Sequence, residues 1–256
     1  MQNLKVTLVQ QVITPNDPQH NLDHFSEVMG KISQTDLIVL PEVFTTGFCA
    51  GARNYAEAVN GRAFQWMHAQ AQKHQAVVTG SLVVKEGDSY FNRLVWMRPD
   101  GSYEQYDKRH LFRMAGEHTR YAAGARRLVV ELKGWKMLPL ICYDLRFPVW
   151  SRNCGDYDAA IYVANWPSAR SLHWNRLLQA RAIENLSYVM GVNRVGMDEA
   201  GQHYTGDSTV YGPVGELIVT SQEPDLIFAE LNADHLQQYR AKFPAHLDMD
   251  KFELQP

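Results

Sequence analysis

The chain has 256 residues, of which 45% are hydrophobic and 21% are charged, so it can bury a sizeable core as one large domain or two small ones. Its net charge of −3 gives no indication of a nucleic-acid partner or of binding to an anionic membrane surface. The three cysteines, Cys49, Cys142 and Cys154, follow no disulfide or zinc spacing, which predicts a cytoplasmic protein without a bound metal.

The first half of the sequence predicts strands and helices in alternation. Residues 4–10 are expected to form a strand. They are not interpreted as part of a signal peptide, because the N-terminus lacks the charged start and long apolar stretch that such a peptide has. No later segment approaches the run of about 18 apolar residues that a membrane span needs. A continuous apolar run over residues 37–40, typical of a strand buried on both faces, ends at Pro41 and Glu42. Helices are predicted over residues 18–31 and 63–74, a strand with a close backbone approach at Gly80 over residues 76–84, and a hairpin over residues 90–106.

The second half follows a similar loose plan of strand, helix, strand and hairpin. Strands are predicted over residues 127–132, 136–141, 159–163, 188–195 and 227–231, a hairpin over residues 206–220, and helices over residues 171–186 and 234–242. No linker or low-complexity segment divides the sequence, so we expect one α/β domain over residues 1–256.

Cys142 stands directly after the apolar run 136–141. Pro148, which suits the first turn of a helix, comes soon afterwards, so Cys142 is expected at a strand-to-helix turn. Backbone N–H groups and a helix N-terminus at such a turn would favour the thiolate, which suits a nucleophile. A buried core cysteine explains the same pattern equally well, because a free cysteine behaves as a small hydrophobic residue.

Glu42 and Lys108 also follow predicted strands, and together with Cys142 they supply the groups that an acyl-transfer site needs. The cysteine would attack a carbonyl carbon and form a thioester, while the carboxylate would carry the proton. The lysine ammonium and the backbone N–H of Tyr143 would stabilise the oxyanion. Taken singly, Glu42 could cap a loop and Lys108 could belong to a solvated turn. The lysine and the carboxylate act oppositely on the pKa of the thiol, so its resting protonation stays open.

Three short motifs occur in this order along the chain. They are Leu40-Pro41-Glu42, Tyr106-Asp107-Lys108-x-His110-Leu111-Phe112 and Cys142-Tyr143-Asp144-Leu145-Arg146-Phe147-Pro148. Together they resemble the nitrilase superfamily of carbon–nitrogen hydrolases over nearly the whole chain, and within it the ω-amidase branch. The resemblance implies a four-layer α-β-β-α sandwich. It also implies a catalytic triad of Glu42, Lys108 and Cys142, with Glu117 as a second glutamate that positions the lysine and polarises the substrate.

An ω-amidase must hold the carboxylate and keto groups of its substrate, and arginine suits a carboxylate because its planar fork binds in a bidentate way. Arg170 follows a predicted strand end beside the expected pocket, so we prefer it to Arg146 and Arg113. Arg146 is expected to brace the turn that precedes it. Phe44 and Trp166 are expected to line the pocket, although a place in the core explains these two aromatic residues equally well.

The resemblance implies an amidohydrolase that releases ammonia from 2-oxoglutaramate or 2-oxosuccinamate through a thioester, without a cofactor. The alternatives are an N-carbamoyl or other aliphatic amide hydrolase with the same triad, and a non-catalytic binding scaffold. A nitrilase fits less well, because Cys142 is followed by Tyr-Asp and not by the Trp-Glu typical of that branch. Besides a small-molecule amide, the resemblance implies a second copy of the chain as partner, in a homodimer to which the C-terminal segment contributes.

Overall fold

The apolar runs of the sequence form strands of two large β-sheets, and helices cover the outer faces of these sheets. The computed structural model describes residues 1–254. The strands are β1 (Leu4–Gln10), β2 (Leu37–Val39), β3 (Glu57–Ala58), β4 (Val77–Glu86), β5 (Ser89–Met97), β6 (Tyr103–Asp107), β7 (Val130–Leu132), β8 (Trp135–Ile141), β9 (Ala159–Val163), β10 (Tyr188–Val192), β11 (Val195–Met197), β12 (His203–Thr205), β13 (Ser208–Tyr211), β14 (Leu217–Ser221) and β15 (Asp225–Leu231).

The helices are short compared with the width of a membrane. They are α1 (Pro18–Met29), α2 (Arg62–His74), α3 (Pro148–Ser151), α4 (Ser171–Asn185) and α5 (Ala233–Lys242), with 3-10 turns at Ala50–Tyr55, Arg113–Ala115, Glu117–Thr119, Cys142–Arg146, Ser168–Arg170 and Ala245–Asp248. Over residues 1–254, no helix has both the length and the apolar character needed to cross a bilayer.

The two large sheets share one plan. The first has the order β15-β1-β2-β4-β5-β6, with β3 beside β4, and the second has the order β14-β13-β10-β9-β8-β7. Three neighbouring strands are parallel in each sheet, namely β1, β2 and β4 in the first and β8, β9 and β10 in the second. Because β5 is antiparallel to β4 and β6 is antiparallel to β5, β6 runs in the same direction as β2. The carboxyl ends of β2 and β6 therefore lie at one edge of the first sheet, where open α/β sheets bind ligands.

Apolar side chains fill the spaces between four layers. Between the sheets, Leu8 and Trp96 of the first sheet pack in one cluster with Leu140 of the second. Phe25 of α1 belongs to a cluster on the outer face of the first sheet, and Trp174 of α4 packs on the second sheet. Burial of each such side chain stabilises the fold by about 1.5–3 kcal/mol. The predicted α-β-β-α sandwich is thus confirmed, with apolar clusters between its layers.

Gly80 lies against the segment that follows β2. A Cβ atom at Gly80 would be only 2.8 Å from the Cβ atom of Leu40, closer than two unbonded carbon atoms approach. The hydroxyl oxygen of the next residue, Ser81, accepts the backbone N–H of Val43 at 2.8 Å. The predicted close approach at Gly80 is therefore confirmed, and it holds in place the segment that carries Glu42.

The strand predicted over residues 188–195 is interrupted after Val192. At this point the side chain of Asn193 takes over backbone hydrogen bonds. Its Oδ1 accepts the N–H groups of Trp166 and Arg194, and its Nδ2 donates to the carbonyl oxygens of Trp166 and Gly206. The chain consequently leaves the second sheet, and β11 pairs with β12 in a separate hairpin.

Other elements also differ in extent from what the sequence indicated, among them the helix at Pro148 and strand β4. The helix that begins at Pro148 ends at Ser151, because Arg152 returns to an extended conformation. Strand β4 continues to Glu86 and forms a hairpin directly with β5. A single helical turn in place of a full helix weakens the effect that a helix N-terminus was expected to have on the thiol of Cys142.

The prediction that Phe44 lines the pocket is wrong. Its ring is fully buried, with its centroid 5.6 Å from that of Phe25 and 5.5 Å from that of Trp66, in the cluster on the outer face of the first sheet. The reason is the backbone of Val43, whose φ of 40° turns the chain between Glu42 and Phe44. A strand would have placed these two side chains on the same face.

We expect Phe44→Ala to lower the free energy of unfolding by about 3–5 kcal/mol, as other truncations of a packed core aromatic do. Phe228→Ala is the matched control, because that ring is half exposed on β15, and it should cost about 0.5 kcal/mol or less. Urea unfolding monitored by far-UV circular dichroism measures both changes. Similar losses for the two variants would contradict the core position of Phe44.

Candidate active site

Four residues that come just after strands line one cavity. Glu42 comes after β2, Lys108 after β6, Cys142 after β8 and Asn165 after β9. The cavity has a volume of about 330 Å³, near the lower end of the range of about 300–1,000 Å³ that small-molecule sites occupy. The two sheets therefore contribute to one site, and the strand ends carry its polar groups.

Lys108 is buried between two glutamates at the wall of this cavity. Its Nζ donates to Oε1 of Glu42 at 2.8 Å and to the two carboxylate oxygens of Glu117 at 2.9 and 3.0 Å. All three side chains are at most 1% exposed, so water screens their charges little. Glu117 reaches the lysine from the 3-10 turn Glu117–Thr119 in the loop that follows β6.

Neutral donors complete the hydrogen bonding of the two glutamates. Nδ2 of Asn92 donates to Oε1 of Glu42 at 2.8 Å and to Oε1 of Glu117 at 3.3 Å. The backbone N–H of Asn165 donates to Oε2 of Glu42 at 2.8 Å, and that of Phe112 donates to Oε2 of Glu117 at 2.6 Å. Each of the four carboxylate oxygens thus has at least one donor, which a buried charge requires.

Cys142 occupies a strained turn at the end of β8. Its φ is 43°, in the left-handed region that residues other than glycine avoid. The carboxylate of Asp144 holds the turn, because it accepts the backbone N–H of Ile141 at 3.0 Å and the hydroxyl of Tyr106 at 2.8 Å. The backbone N–H of Tyr143 lies in the first turn of the 3-10 segment, where no earlier carbonyl of that segment can accept it. The side chain of Cys142 faces the cavity.

Asp144 also joins this turn to the loop that carries Lys108. Its Oδ1 accepts the backbone N–H of His110 at 3.0 Å and lies 2.8 Å from Nδ1 of the same residue. The imidazole of His110 stacks on Phe147, with 3.7 Å between the ring centroids. The second and third sequence motifs are therefore in direct contact, and their polar residues bind one another.

Burial and charge set the protonation of the lysine and the cysteine. Burial lowers the pKa of Lys108, but the charges of Glu117 and Glu42 outweigh it and raise that pKa above its ordinary value, so the lysine stays an ammonium. Burial raises the pKa of the Cys142 thiol well above its ordinary value, and the charge of Glu42 adds to this against the opposing charge of Lys108. At neutral pH the cysteine is therefore a thiol beside Glu42. The sequence alone had left this protonation state open.

Three arginines line the cavity around these residues. Arg170 lies on the wall as expected, and Nε1 of Trp166, another wall residue, donates to its carbonyl oxygen at 2.8 Å. Arg146 was expected to brace its turn, yet it also lines the cavity, with its guanidinium 4.8 Å from the ring centroid of Trp166. Arg120 is the third. Arg113 is exposed and is absent from the residues of the described chain that line the cavity.

Sequence reasoning missed several residues of the site. Asn92, Arg120, Asp144 and Tyr204 were not singled out, although Asp144 stands inside the third motif. The sequence could have pointed to Asn92, since it is a polar residue in a largely apolar predicted strand. It could not have pointed to Tyr204, because the β11–β12 hairpin that carries this residue was not predicted.

The arrangement has the parts needed for nucleophilic acyl transfer. It combines a thiol, a carboxylate that can take its proton, and an ammonium that can stabilise an oxyanion. In the part of the chain that the structure describes, no group of three or more His, Cys, Asp or Glu side chains is placed to hold a metal ion.

Comparisons with known proteins agree with this chemistry. A family model described as "Carbon-nitrogen hydrolase" matches residues 5–241. The chain is 51% identical to the omega-amidase YafV of Escherichia coli strain K12 over 256 residues, which cover 99% of this chain and 100% of that protein. It is 31% identical to the 2-oxoglutaramate amidase of Bacillus subtilis strain 168 over 253 residues, covering 96% and 97% of the two chains. A solved CN-hydrolase superfamily protein of Xanthomonas campestris, with an arsenic adduct in its active site, superposes with a TM-score of 0.98 at 45% identity, over 100% of both chains.

We expect Glu42→Gln to move the alkylation of Cys142 to lower pH. The carboxylate of Glu42 raises the pKa of the thiol, so its removal lowers that pKa. The rate of modification by iodoacetamide, followed by peptide mass spectrometry between pH 6 and 10, measures the shift. The exposed Cys154 serves as control within each sample, and its pH dependence should not change. An unchanged profile for Cys142 would show that Glu42 does not set its protonation.

Proposed function

The chain belongs to the carbon–nitrogen hydrolase family and hydrolyses amide C–N bonds, and we propose that it is an ω-amidase acting on small dicarboxylic keto-acid monoamides. The substrates in this proposal are 2-oxoglutaramate and 2-oxosuccinamate, and the products are ammonia and the dicarboxylate. Relatives named omega-amidase and 2-oxoglutaramate amidase, which match almost the whole chain, support this substrate class. Their names also favour an enzyme over the binding scaffold that the sequence had left as an alternative.

One observation carries the proposal. The cysteine thiol, the glutamate that can take its proton and a lysine held between two carboxylates lie on the wall of one small cavity. The same cavity is lined by arginines, which suit a substrate that has a carboxylate besides its amide. A purely structural ion pair would not need a thiol in a strained turn beside it.

In the first half of the proposed reaction, Cys142 attacks the amide carbon. Glu42 takes the thiol proton while the C–S bond forms, because the raised pKa of the thiol leaves little thiolate at rest. The electron pair of the carbonyl moves to its oxygen, where Nζ of Lys108 and the backbone N–H of Tyr143 stabilise it. Glu42 then gives the proton to the amide nitrogen, the C–N bond breaks, and ammonia leaves a thioester on Cys142.

In the second half, water takes the place of the amine. Glu42 accepts a proton from the water as its oxygen attacks the thioester carbon, and the same donors hold the oxyanion. The C–S bond then breaks, the sulfur recovers its proton from Glu42, and the dicarboxylate leaves. Glu117 keeps Lys108 in place throughout, since it binds the ammonium with both carboxylate oxygens.

For the far end of the substrate we propose Arg170 as the residue that binds the carboxylate, with Trp166 forming the adjoining wall. The backbone of Arg170 is tied to Trp166, and its guanidinium lies 5.5 Å from the ring centroid of Phe112 on the same cavity. Arg146 is its competitor, because it also lines the cavity. Substitution of each arginine in turn by lysine, with KM as the readout, distinguishes them, since lysine keeps the charge and loses the fork.

We expect the purified protein to release ammonia rapidly from 2-oxoglutaramate and Cys142→Ala to lose this activity by a factor on the order of 10⁴ or more, because the substitution removes the proposed nucleophile. A coupled glutamate dehydrogenase assay measures the ammonia. Glutamine, an N-carbamoyl amino acid and a simple nitrile are the comparison substrates. Cys154→Ala is the matched control, since that thiol is exposed and is not among the described residues that line the cavity, and it should keep full activity.

Other results would change the proposal in different ways. Faster release from the N-carbamoyl amino acid or another aliphatic amide would keep the site and replace the substrate. Full activity in Cys142→Ala would remove the thioester mechanism altogether.

We further propose that the chain forms a homodimer through its helical face and acts in the cytoplasm. Helix α3, helix α4 and the C-terminal segment expose large apolar side chains, among them Val149, Leu172 and Leu247 at 55%, 65% and 74%. Such a surface suits a partner that is itself apolar, as in an isologous dimer. The three cysteines are unpaired, which suits a reducing compartment.

We expect size-exclusion chromatography with light scattering to give twice the chain mass of 29.2 kDa, and Leu172→Glu to lower this toward the monomer. A buried glutamate at an apolar interface lacks a partner for its charge. Met114→Glu is the control, because that side chain is 78% exposed in the 3-10 turn Arg113–Ala115 and belongs to none of the elements proposed for the interface. A monomeric native chain would rule out the dimer.

A further inference from the structure

We propose that Asn92 is a positioning residue that frees Lys108 to serve the oxyanion, an inference that rests on the proposed function of the site. The observation behind it is the pair of hydrogen bonds from one amide group to both buried glutamates. Neither the sequence motifs nor the four predicted catalytic residues include Asn92.

Asn92 is attached to the site at both its backbone and its side chain. It lies in β5 and is 1% exposed, and its carbonyl oxygen accepts the backbone N–H of Lys108 at 2.9 Å. Its Nδ2 donates to Oε1 of Glu42 and to Oε1 of Glu117, the same two oxygens that also accept Nζ of Lys108. Asn92 and Lys108 are thus two parallel bridges between one pair of carboxylates.

The oxygen atom of the Asn92 amide shows that the two glutamates impose the orientation of this side chain. Oδ1 of Asn92 is buried and has no hydrogen-bond partner among residues 1–254, which costs free energy. In contrast, Asn153 is a structural residue, since its Nδ2 donates to two carbonyl oxygens and its Oδ1 accepts backbone N–H groups. The unsatisfied oxygen of Asn92 therefore marks a side chain selected for its two donors.

A count of hydrogen-bond donors indicates what the two bonds from Asn92 to the glutamates do. When Lys108 turns one N–H toward a substrate oxyanion, it must loosen a bond to one of the carboxylates. Oε2 of Glu117 keeps the N–H of Phe112, and Oε2 of Glu42 keeps that of Asn165. Among residues 1–254, only Asn92 remains as a donor for Oε1 of each glutamate. With Asn92 present, the lysine can serve the oxyanion without leaving a buried charge unpaired.

A neutral donor suits this position better than a charged one. A second cation would favour the thiolate of Cys142 and weaken Glu42 as a proton acceptor, and a third carboxylate would repel the first two. The amide adds hydrogen bonds and leaves the net charge of the cluster unchanged.

The test compares Asn92→Leu, which has nearly the same shape without donors, with Asn153→Leu as the matched control for loss of a buried asparagine. We expect kcat of Asn92→Leu on the amide that the native enzyme hydrolyses to fall about 10²-fold, as for other losses of catalytic positioning, with KM unchanged. Asn153→Leu should lower the thermal midpoint and keep kcat. An Asn92→Leu enzyme with native kcat would overturn the proposal.

Asn92→Asp gives an independent readout if Asn92→Leu does not fold. The introduced carboxyl donates one hydrogen bond when protonated and adds a repelling charge when ionised. The ratio of its kcat to that of the native enzyme should therefore rise as the pH falls from 8 to 5, whereas a merely structural role predicts a constant ratio and would overturn the proposal. Cys142→Ala is assayed alongside: if it keeps activity, the proposed function has failed, and if it is inactive, a native-like Asn92→Leu or a constant ratio counts against Asn92 alone.

Discussion

The ion pair of Lys108 with Glu42 and Glu117 is the interaction on which the rest of the structure depends. Three segments must meet for it to form, namely the ends of β2 and β6 and the loop that follows β6. A buried charge without its partner costs on the order of 3–5 kcal/mol, so none of the three segments can be displaced alone. This explains why each carboxylate oxygen has a donor of its own, and why those donors come from both sheets. The cluster consequently ties the two sheets together at the edge where the cavity lies.

The two sheets have the same arrangement of parallel and antiparallel strands, and they meet at the ends of equivalent strands. Strands β2 and β9 are each the second strand of a parallel triplet, and they lead to Glu42 and Asn165. The backbone N–H of Asn165 binds the Glu42 carboxylate, and its side chain donates to the Glu42 carbonyl oxygen at 2.5 Å. Nearby, Val43 and Cys142 have left-handed backbones, each of which costs on the order of 1–3 kcal/mol. Side-chain hydrogen bonds hold both turns: the hydroxyl of Ser81 accepts the backbone N–H of Val43, and the carboxylate of Asp144, within the turn of Cys142, accepts that of Ile141.

The cavity is lined by the charged cluster and by three arginines. The cluster holds a cation that stays charged and a thiol that stays protonated, because both lie beside the same two carboxylates. Of the arginines Arg120, Arg146 and Arg170, two contact aromatic rings. The carboxylates thus keep the lysine charged and the thiol neutral, and in the proposed reaction Glu42 also carries the proton. Two buried negative charges thus account for all of these effects.

The sequence by itself determined the order of the elements and the residues at their ends. Predicted strands that end just before Glu42, Lys108 and Cys142 are local features, and the three motifs pointed to one family, from which the sandwich and Glu117 followed. Tertiary structure decided what depends on contacts between distant segments. Asn92 and Glu42 are 50 residues apart, so only the packing of β5 beside β4 reveals their bond. The same holds for the direction of Phe44, which one left-handed residue reversed, and for the thiol of Cys142, whose pKa reflects charges from three segments. Periodicity and spacing report on neighbours along the chain, whereas orientation and protonation are set by neighbours in space.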